Sequence, residues 1–334
     1  MARWNLFGGV GLRKHSPVAL LLAGLLLNKE FFGAGNKQLA PADSTGRKGF
    51  TFEAVSDKSL KLWEGQQPIL VYNHGVMTST SAPNAKGRSS YFHPVYGLDG
   101  EVLTDDFPKD HVNHRGLHWA WPHIRIDDRE VDLWSLRDIR HEFQRWLARE
   151  TTAKGAVLGI ENGWFVGDKR VLREKVWTRV HPASSAGRFI DLELTLTPEG
   201  RPICLWGAEG KSYGGLTLRF GPRTKTIITV PSGRSKEDLL VAPLPWADLS
   251  GNLKGDETLS GAAVFVSPEH PSYPPTWMTR DYGLLAVGWP GITPQSLPAG
   301  KSISLSYRIW IHRGVPEAAE IQKVYDTYRS GIKD

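Results

Sequence analysis

The sequence has 334 residues, of which 40% are hydrophobic and 23% charged, a composition typical of a globular chain and not of a multi-span membrane protein. Its single cysteine, Cys204, excludes an internal disulfide and a cysteine-based zinc site. The formal net charge is +6, but residues 1–48 hold seven basic side chains against two acidic ones, so the rest is nearly neutral. Such a body lacks the basic face that nucleic acid requires, and no nucleic-acid partner is expected.

The chain opens with a charged segment followed by an apolar one. Arg13 and Lys14 precede the eleven-residue apolar run 17–27, which is too short to span a bilayer about 30 Å thick. This order is typical of a secretory signal. We therefore predict that residues 1–28 are a signal peptide or N-terminal anchor, that residues 29–48 are a flexible linker, and that the protein is exported to the periplasm or cell exterior.

The body of the chain has the period of β-structure. From Phe50 onward apolar residues alternate with polar ones, as in the run 190–196. Turn signals separate these runs and favour hairpins over strand-helix-strand units. The turn signals are dipeptides that end in glycine: Asp99-Gly100, Asn162-Gly163, Glu199-Gly200, Ser250-Gly251 and Ala299-Gly300. Residues 49–315 are predicted to form one all-β domain, a large two-sheet antiparallel sandwich or supersandwich.

The last segment, residues 316–334, is predicted to be a single helix packed on the sandwich. Pro316 suits a first helical turn, Gly331 suits the end, and Ile321, Tyr325 and Tyr328 fall on one apolar stripe. The sequence contains no glycine-rich phosphate loop, so no nucleotide cofactor is expected.

Four of the eleven histidines fall within thirteen residues. In one interpretation His111, His114 and His118 are metal ligands, with Asp110 as a fourth ligand or an orienting group. In another, two of these imidazoles bind a polar substrate and transfer protons, Arg115 holds an anionic group, and the neighbouring tryptophans stack on the ligand. A third interpretation, ordinary buried histidines of a loop, also remains open.

Further candidate residues lie in two polar clusters downstream. Glu209 is a carboxylate placed to act as a general base, and Arg219 has the opposite parity to the two leucines of its strand, so it projects from their opposite face. Arg280 lies in the second cluster. Trp246 is one of several tryptophans near proline or charged residues, a setting that suits stacking on a sugar ring.

Four segments of the sequence match a known family pattern. They are Tyr91-Phe92-His93-Pro94-Val95, Asp110-His111-Val112-Asn113-His114-Arg115-Gly116, Gly214-Gly215-Leu216, and Trp277-Met278-Thr279-Arg280-Asp281-Tyr282-Gly283. These residues resemble the bacterial DUF6807 family, many members of which are labelled PmoA or methane oxygenase. The family's Asp-His-Pro-His-His-Arg-Gly motif is changed here at Val112 and Asn113, and the loss of one histidine weakens a metal interpretation. A methane monooxygenase subunit would need several membrane spans, and this chain has at most one short apolar segment, so that activity and an integral membrane domain are not expected.

The resemblance implies a galactose-mutarotase-like sandwich, in which a concave sheet holds a sugar and histidines and a carboxylate act on it. The leading hypothesis is an exported carbohydrate-binding and carbohydrate-active protein that uses histidine-based proton transfer, as an epimerase, lyase or hydrolase, without metal or other cofactor. The alternatives are a non-catalytic carbohydrate-binding protein and a metal-dependent enzyme. The expected catalytic residues are His111, His114 and Glu209. The expected substrate-binding residues are His93, Asp110, Arg115, His118, Arg219, Trp246 and Arg280.

Overall fold

The computed structural model describes residues 49–82, 86–253, 255 and 257–331. The predicted signal segment 1–28 and linker 29–48 lie outside these residues. Within them, the structure holds no helix with the length and apolar character needed to cross a membrane.

The described residues form 22 strands followed by one helix, α1 (Ala318–Ser330). In chain order the strands are β1 (Phe50–Ser56), β2 (Ser59–Glu64), β3 (Gln67–Asn73), β4 (Tyr91–Val95), β5 (Leu117–Ala120), β6 (His123–Ile126), β7 (Arg129–Val131), β8 (Arg140–Thr152), β9 (Gly155–Val166), β10 (Lys169–Val180), β11 (Arg188–Pro198), β12 (Ile203–Trp206), β13 (Gly215–Arg219), β14 (Thr224–Val230), β15 (Gly233–Arg234), β16 (Ala242–Pro243), β17 (Trp246–Asn252), β18 (Ser260–Val266), β19 (Thr276–Arg280), β20 (Leu284–Gly288), β21 (Gln295–Leu297) and β22 (Ile303–Arg313).

The strands pair into three antiparallel sheets. The first sheet has nine strands in the order β1-β2-β3-β4-β5-β13-β20-β19-β16, and the second has nine in the order β15-β14-β17-β18-β22-β11-β10-β9-β8. A third, small sheet, which the sequence did not predict, has the order β21-β12-β6-β7. The prediction of an all-β antiparallel sandwich with one C-terminal helix is confirmed.

The inner faces of the two large sheets share one hydrophobic core. Val176 in β10, Leu192 in β11 and Ile309 in β22 point inward from the second sheet, and Trp119 and Leu285 point inward from the first. Each such side chain removed from water contributes about 1.5–3 kcal/mol to folding. The alternation of apolar and polar residues thus gives each sheet two faces, an inner face that is buried in the core and an outer face that is available for other contacts.

A buried carboxylate links the two sheets inside this core. Glu174 in β10 accepts hydrogen bonds from Trp119 Nε1 of the first sheet, Trp164 Nε1 and Asn162 Nδ2, at 2.8–2.9 Å. The two indoles share Oε2 of Glu174, and His141 Nε2 lies 2.9 Å from Oε1, which also accepts the bond from Asn162. A buried charge is tolerated only when its hydrogen bonds are made, and four partners meet that condition here.

Two of the five predicted turns lie inside strands instead. Asn162-Gly163 is part of β9, whose hairpin to β10 turns at residues 167–168, and Ser250-Gly251 is part of β17. The Asn162 side chain is drawn into the core by Glu174, and Gly163 gives room to Phe165, whose ring would lie 2.6 Å from an added Cβ. Tertiary contacts outweigh the turn preference of the Asn-Gly pair.

Helix α1 covers part of the outer face of the second sheet. Ile321, Tyr325 and Tyr328, the predicted stripe, pack against Trp246 and Phe265. The helix begins at Ala318, after Pro316 and the N-cap Glu317, and its cap Gly331 donates to the carbonyl oxygen of Thr327.

Candidate functional site

A cleft of about 380 Å³ lies beside the first sheet, against the outer side of β19 and the turn that follows it. Its lining residues come from loops that are far apart in the sequence: His111, His114, Trp134, Lys211, Tyr213, Asp238, Met278, Arg280 and Tyr282. The structure therefore brings the histidine cluster and both downstream polar clusters to one place.

Strand alternation explains which side chains reach this face. In β19, Met278 and Arg280 line the cleft, whereas Trp277, which precedes Met278 and faces the other side of the strand, belongs to the core. In β13, Leu216 and Leu218 are core residues and Arg219 turns away from them, as its parity predicts.

Arg219, Asp110 and His111 form a chain of contacts in which only His111 lines the cleft, whereas Asp110 and Arg219 line a neighbouring depression of about 760 Å³. Arg219 Nη2 donates to both carboxylate oxygens of Asp110, at 2.7 and 2.8 Å, and His111 Nδ1 lies 3.0 Å from Asp110 Oδ2. Because a carboxylate only accepts, His111 donates its Nδ1 hydrogen and keeps Nε2 for a ligand. Partial burial works to raise the pKa of Asp110, but the bonds from His111 and Arg219 outweigh it and lower that pKa to about 2.

His114 lies next to His111 and is a neutral imidazole. The two rings stack with their centroids 4.7 Å apart. His114 and Trp134 form an edge-to-face contact with a centroid distance of 5.4 Å. Burial and the nearby His111 and Arg219 lower the pKa of His114 to about 3. Its Nδ1 has no hydrogen-bond partner among the described residues.

Aromatic rings form two walls of the cleft. Tyr282 stacks on His111 at a centroid distance of 4.7 Å, and the guanidinium carbon of Arg219 lies 4.8 Å from the Tyr282 centroid. The ring centroids of Trp134 and Tyr213 lie 4.5 Å apart. Burial raises the pKa values of Tyr213 and Tyr282, so both hydroxyls are neutral hydrogen-bonding groups.

Charged groups stand at the rim. Arg280 Nη1 donates to Asp238 Oδ2 at 3.2 Å, and the backbone N–H of Asp281 donates to Asp238 Oδ1 at 2.8 Å. Lys211 is exposed and also lines the cleft. These groups offer both donors and acceptors to a polar ligand.

Arg115 is buried behind the cleft and holds the histidine loop in shape. Its guanidinium donates to the backbone carbonyl oxygens of Val112, His114 and Lys86, at 2.6–3.0 Å, and packs on the Phe107 ring at 3.5 Å. The structure thus places Arg115 where it orders the loop and does not bring it to the cleft lining.

His118 and His93 are also placed behind the cleft. His118 Nδ1 donates to the carbonyl oxygen of Arg115 at 2.9 Å, and its ring packs on Trp134. His93 Nδ1 lies 3.0 Å from Thr104 Oγ1. Burial holds the pKa of His118 well below its usual value and lowers that of His93 to about 4, so both are neutral.

Two expected site residues lie elsewhere. Glu209 is exposed on the turn before β13 and does not line the cleft. Trp246 is fully buried in the second sheet, where its Nε1 donates to Gln322 of α1 at 2.8 Å. A carboxylate that the sequence did not single out, Asp238, stands at the cleft instead.

A family model with the description "Family of unknown function" matches residues 59–326 of the chain. The chain belongs to DUF6807. This confirms the resemblance seen in the sequence. No curated protein matches the chain.

Several solved structures are similar to this DUF6807 chain at low identity. A heparan sulfate lyase from Pedobacter heparinus is 8% identical, with a TM-score of 0.38, over 80% of this chain and 36% of the lyase. An α-galactosidase from Geobacillus stearothermophilus is 13% identical, with a TM-score of 0.36, over 80% of this chain and 40% of the galactosidase. A galactose 1-epimerase from Lactobacillus acidophilus is 9% identical, with a TM-score of 0.33, over 80% of this chain and 99% of the epimerase. The chain spans less than half of the lyase and the galactosidase, and similarity at this level assigns it neither a substrate nor a reaction.

The geometry gives the metal interpretation no support. Among the described residues no three His, Cys, Asp or Glu side chains are grouped so that they could hold a metal ion. The rings of His111 and His114 lie stacked, with an angle of 9° between their planes.

Six of the nine cleft residues were not among the predicted site residues. Four of them lay inside the two polar clusters that also hold Glu209 and Arg280, which was a usable signal: Lys211, Tyr213, Met278 and Tyr282. Trp134 and Asp238 lie in connecting segments, and only the fold brings them to the histidine loop.

Proposed function

We propose that the cleft binds a carbohydrate ring and transfers a proton to or from it through His111. The observation that supports this most strongly is the Asp110–His111 pair at the edge of an aromatic-walled cleft, with Arg219 fixing Asp110 from behind. Asp110 orients one nitrogen of the imidazole and leaves the other for the ligand.

The composition of the cleft suits a polyhydroxylated ring. Tyr282 and Trp134 offer apolar ring faces for stacking, and Arg280, Asp238 and Lys211 offer donors and acceptors for hydroxyl groups. A volume of about 380 Å³ lies within the range of about 300–1,000 Å³ usual for small-molecule pockets.

The proton moves at Nε2 of His111. With Asp110 ionised at neutral pH and holding Nδ1–H, a neutral His111 accepts a proton at Nε2, and the resulting imidazolium is stabilised by the Asp110 carboxylate. The same nitrogen returns the proton in a later step. This role differs from the paired role expected from the sequence, because the low pKa of His114 makes it a neutral wall of the site. We assign no role to the exposed Glu209.

The test combines binding and turnover measurements on one panel of free hexoses, hexuronic acids and disaccharides. Isothermal titration calorimetry measures binding, and ¹H NMR follows anomeric exchange, elimination and hydrolysis. We expect His111→Gln to lower turnover by about 10²–10⁴-fold while binding persists. Glu209→Gln is the matched control, because this exposed residue stands outside the cleft, and it should behave as the unmodified protein.

Two results would contradict parts of this proposal. Binding of a sugar with no product on long incubation would favour the alternative of a non-catalytic carbohydrate-binding protein. Turnover that is unchanged in His111→Gln would show that another group moves the proton.

We further propose that the chain is exported, on the pattern of Arg13 and Lys14 before the apolar run 17–27. The measurement is fractionation of cells that express the full sequence, followed by N-terminal sequencing. Recovery of the protein only from the cytoplasm would contradict export.

A further inference from the structure

The outer face of the second sheet is divided into two halves. Helix α1 packs over Trp246, Phe265 and Trp310, which lie on β17, β18 and β22. The half formed by β9, β10 and β11 has no such cover among the described elements, and Trp177 of β10 stands there with 37% of its surface exposed. Neither core packing nor the cleft accounts for an exposed indole on this sheet face.

The Trp177 ring lies flat against the neighbouring strand because that strand has a glycine beneath it. Gly159 of β9 pairs with Trp177 across the sheet, and an added Cβ there would stand 2.5 Å from the Trp177 ring. One ring face is therefore packed on the backbone of β9 while the other side remains open to solvent. The ring is held as a platform and is not a freely moving side chain.

Hydrogen-bonding side chains surround this platform. Glu193 of β11 is the cross-strand partner of Trp177 on its other side, and Ser306 of β22 is the partner of Glu193. Arg179 and Glu269 also line the same depression, which has a volume of about 500 Å³. Arg179 and Glu269 have no ion-pair partner within the described ranges, so their polar groups are available to a ligand.

The floor beside Trp177 is held in place by a network of charges. Arg308 donates to both oxygens of Asp191, and His181 Nε2 lies 2.6 Å from Asp191 Oδ2. The guanidinium carbon of Arg308 lies 4.6 Å from the centroid of Tyr328 in α1. The depression therefore has one wall formed by the helix and is organised before any ligand binds.

We propose that this depression is a second carbohydrate-binding site, in which a pyranose ring of a neutral oligosaccharide stacks on the open face of Trp177. Its hydroxyl groups are bonded by Glu193, Ser306 and Arg179. Among the described residues neither Glu193, which accepts a hydrogen bond from Thr195 Oγ1 at 3.4 Å, nor Glu269 has an ion-pair partner, and these two carboxylates outnumber the one such cation, Arg179, so the charge disfavours acidic glycans. The site lies on the second sheet and the cleft lies on the first, so the two bind independently.

The test uses Trp177 itself as the reporter. The indole N–H resonance of Trp177 is assigned by its loss in Trp177→Phe, and the protein is titrated separately with cellohexaose, xylohexaose, mannohexaose and maltohexaose. We expect at least one of these probes to shift the Trp177 resonance. The indole resonance of Trp206, a half-buried tryptophan stacked on His123 in the third sheet, should not move.

Affinity for the bound probe then separates stacking from other contacts. We expect Trp177→Ala to weaken binding by at least about tenfold and Trp177→Tyr to restore part of it, whereas Trp206→Ala should leave the affinity unchanged. Turnover at the cleft should be the same in Trp177→Ala as in the unmodified protein, and His111→Gln should still bind the probe at Trp177. The two proposals can thus fail separately.

Two outcomes would overturn the second site. One is a Trp177 resonance that none of the four hexaoses shifts. The other is an affinity that Trp177→Ala leaves unchanged while thermal unfolding shows that the variant is folded.

Discussion

Two carboxylate–imidazole pairs in this protein have nearly the same geometry and opposite surroundings. The Glu174 Oε1 to His141 Nε2 distance is 2.9 Å, and the Asp110 Oδ2 to His111 Nδ1 distance is 3.0 Å. The side chains of the first pair are 0% and 1% exposed, and those of the second are 44% and 42% exposed. The residue types and the distance between them therefore do not distinguish a pair in the core from a pair at the cleft.

The difference lies in which hydrogen-bonding groups are left over. Glu174 is saturated by His141 together with two indoles and an amide from the core. Asp110 is held by Arg219, while the Nε2 of His111 remains for a ligand. The first pair can only stabilise the fold, whereas the second can bind and move a proton.

Replacing each carboxylate by leucine should separate the two pairs by the size of the stability loss. We expect Glu174→Leu to lower the free energy of unfolding by about 3–5 kcal/mol, because His141, Asn162 and two indoles lose their acceptor in the core. Asp110→Leu leaves the buried Arg219 guanidinium without its acceptor, but Asp110 itself is half exposed, so this change should cost less, about 1–3 kcal/mol. Urea denaturation measures both, and losses of equal size would contradict the distinction.

Asp110 should matter more than Glu174 for turnover at the cleft, the reverse of their order for stability. We expect Asp110→Asn to reduce turnover of a cleft substrate by about 10²–10⁴-fold, because the amide no longer fixes the His111 tautomer or stabilises its imidazolium. Asp127→Asn is the matched control, since Asp127 pairs with Arg201 at an exposed position away from the cleft. A similar loss of turnover in both variants would count against Asp110 as the orienting group.

A third carboxylate–imidazole pair, Asp248 and His312, makes the stability of the fold depend on pH. Burial works to lower the pKa of His312, but the charge and hydrogen bond of Asp248 outweigh it and raise that pKa above its usual value. A raised folded-state pKa gives stability that is complete below about pH 6.5 and is lost as the pH rises through the folded value. We expect His312→Gln to flatten this alkaline decline in urea midpoints measured from pH 5 to 9, and an unchanged profile would refute the assignment.

Glu174 should give the free energy of unfolding a pH dependence of the opposite sign. Burial works to raise its pKa, yet His141 and the hydrogen bonds hold it below the usual value, so its stabilisation is present at neutral pH and lost as the pH falls through the folded value.

The charge of His114 should hardly change with pH. Its lowered pKa, about 3, predicts a neutral ring at every pH above about 4, despite its stacking on His111. Side-chain ¹H–¹⁵N NMR from pH 4 to 8 should show no titration of His114. A midpoint near 6.5 would mean that the ring is open to solvent.

Part of the site could be predicted from residue types and part could not. His111, His114 and Arg280 line the cleft, but Arg115 turns inward to hold backbone carbonyl groups of its own loop. Trp246, next to a proline, had the sequence pattern of a loop tryptophan. It became a core residue because a helix beginning 72 positions later folds over it and supplies Gln322 as its partner.

The amino-acid sequence by itself determined the β-class, the antiparallel sandwich and the terminal helix, because alternation and helical stripes are local patterns that record which face is buried. It also determined the DUF6807 membership through short segments. Which histidines line the cleft, which carboxylate lies beside them and which tryptophans are exposed follow from the packing of the folded chain. Those properties depend on neighbours from distant strands, whose burial and unpaired hydrogen-bonding groups no local pattern contains.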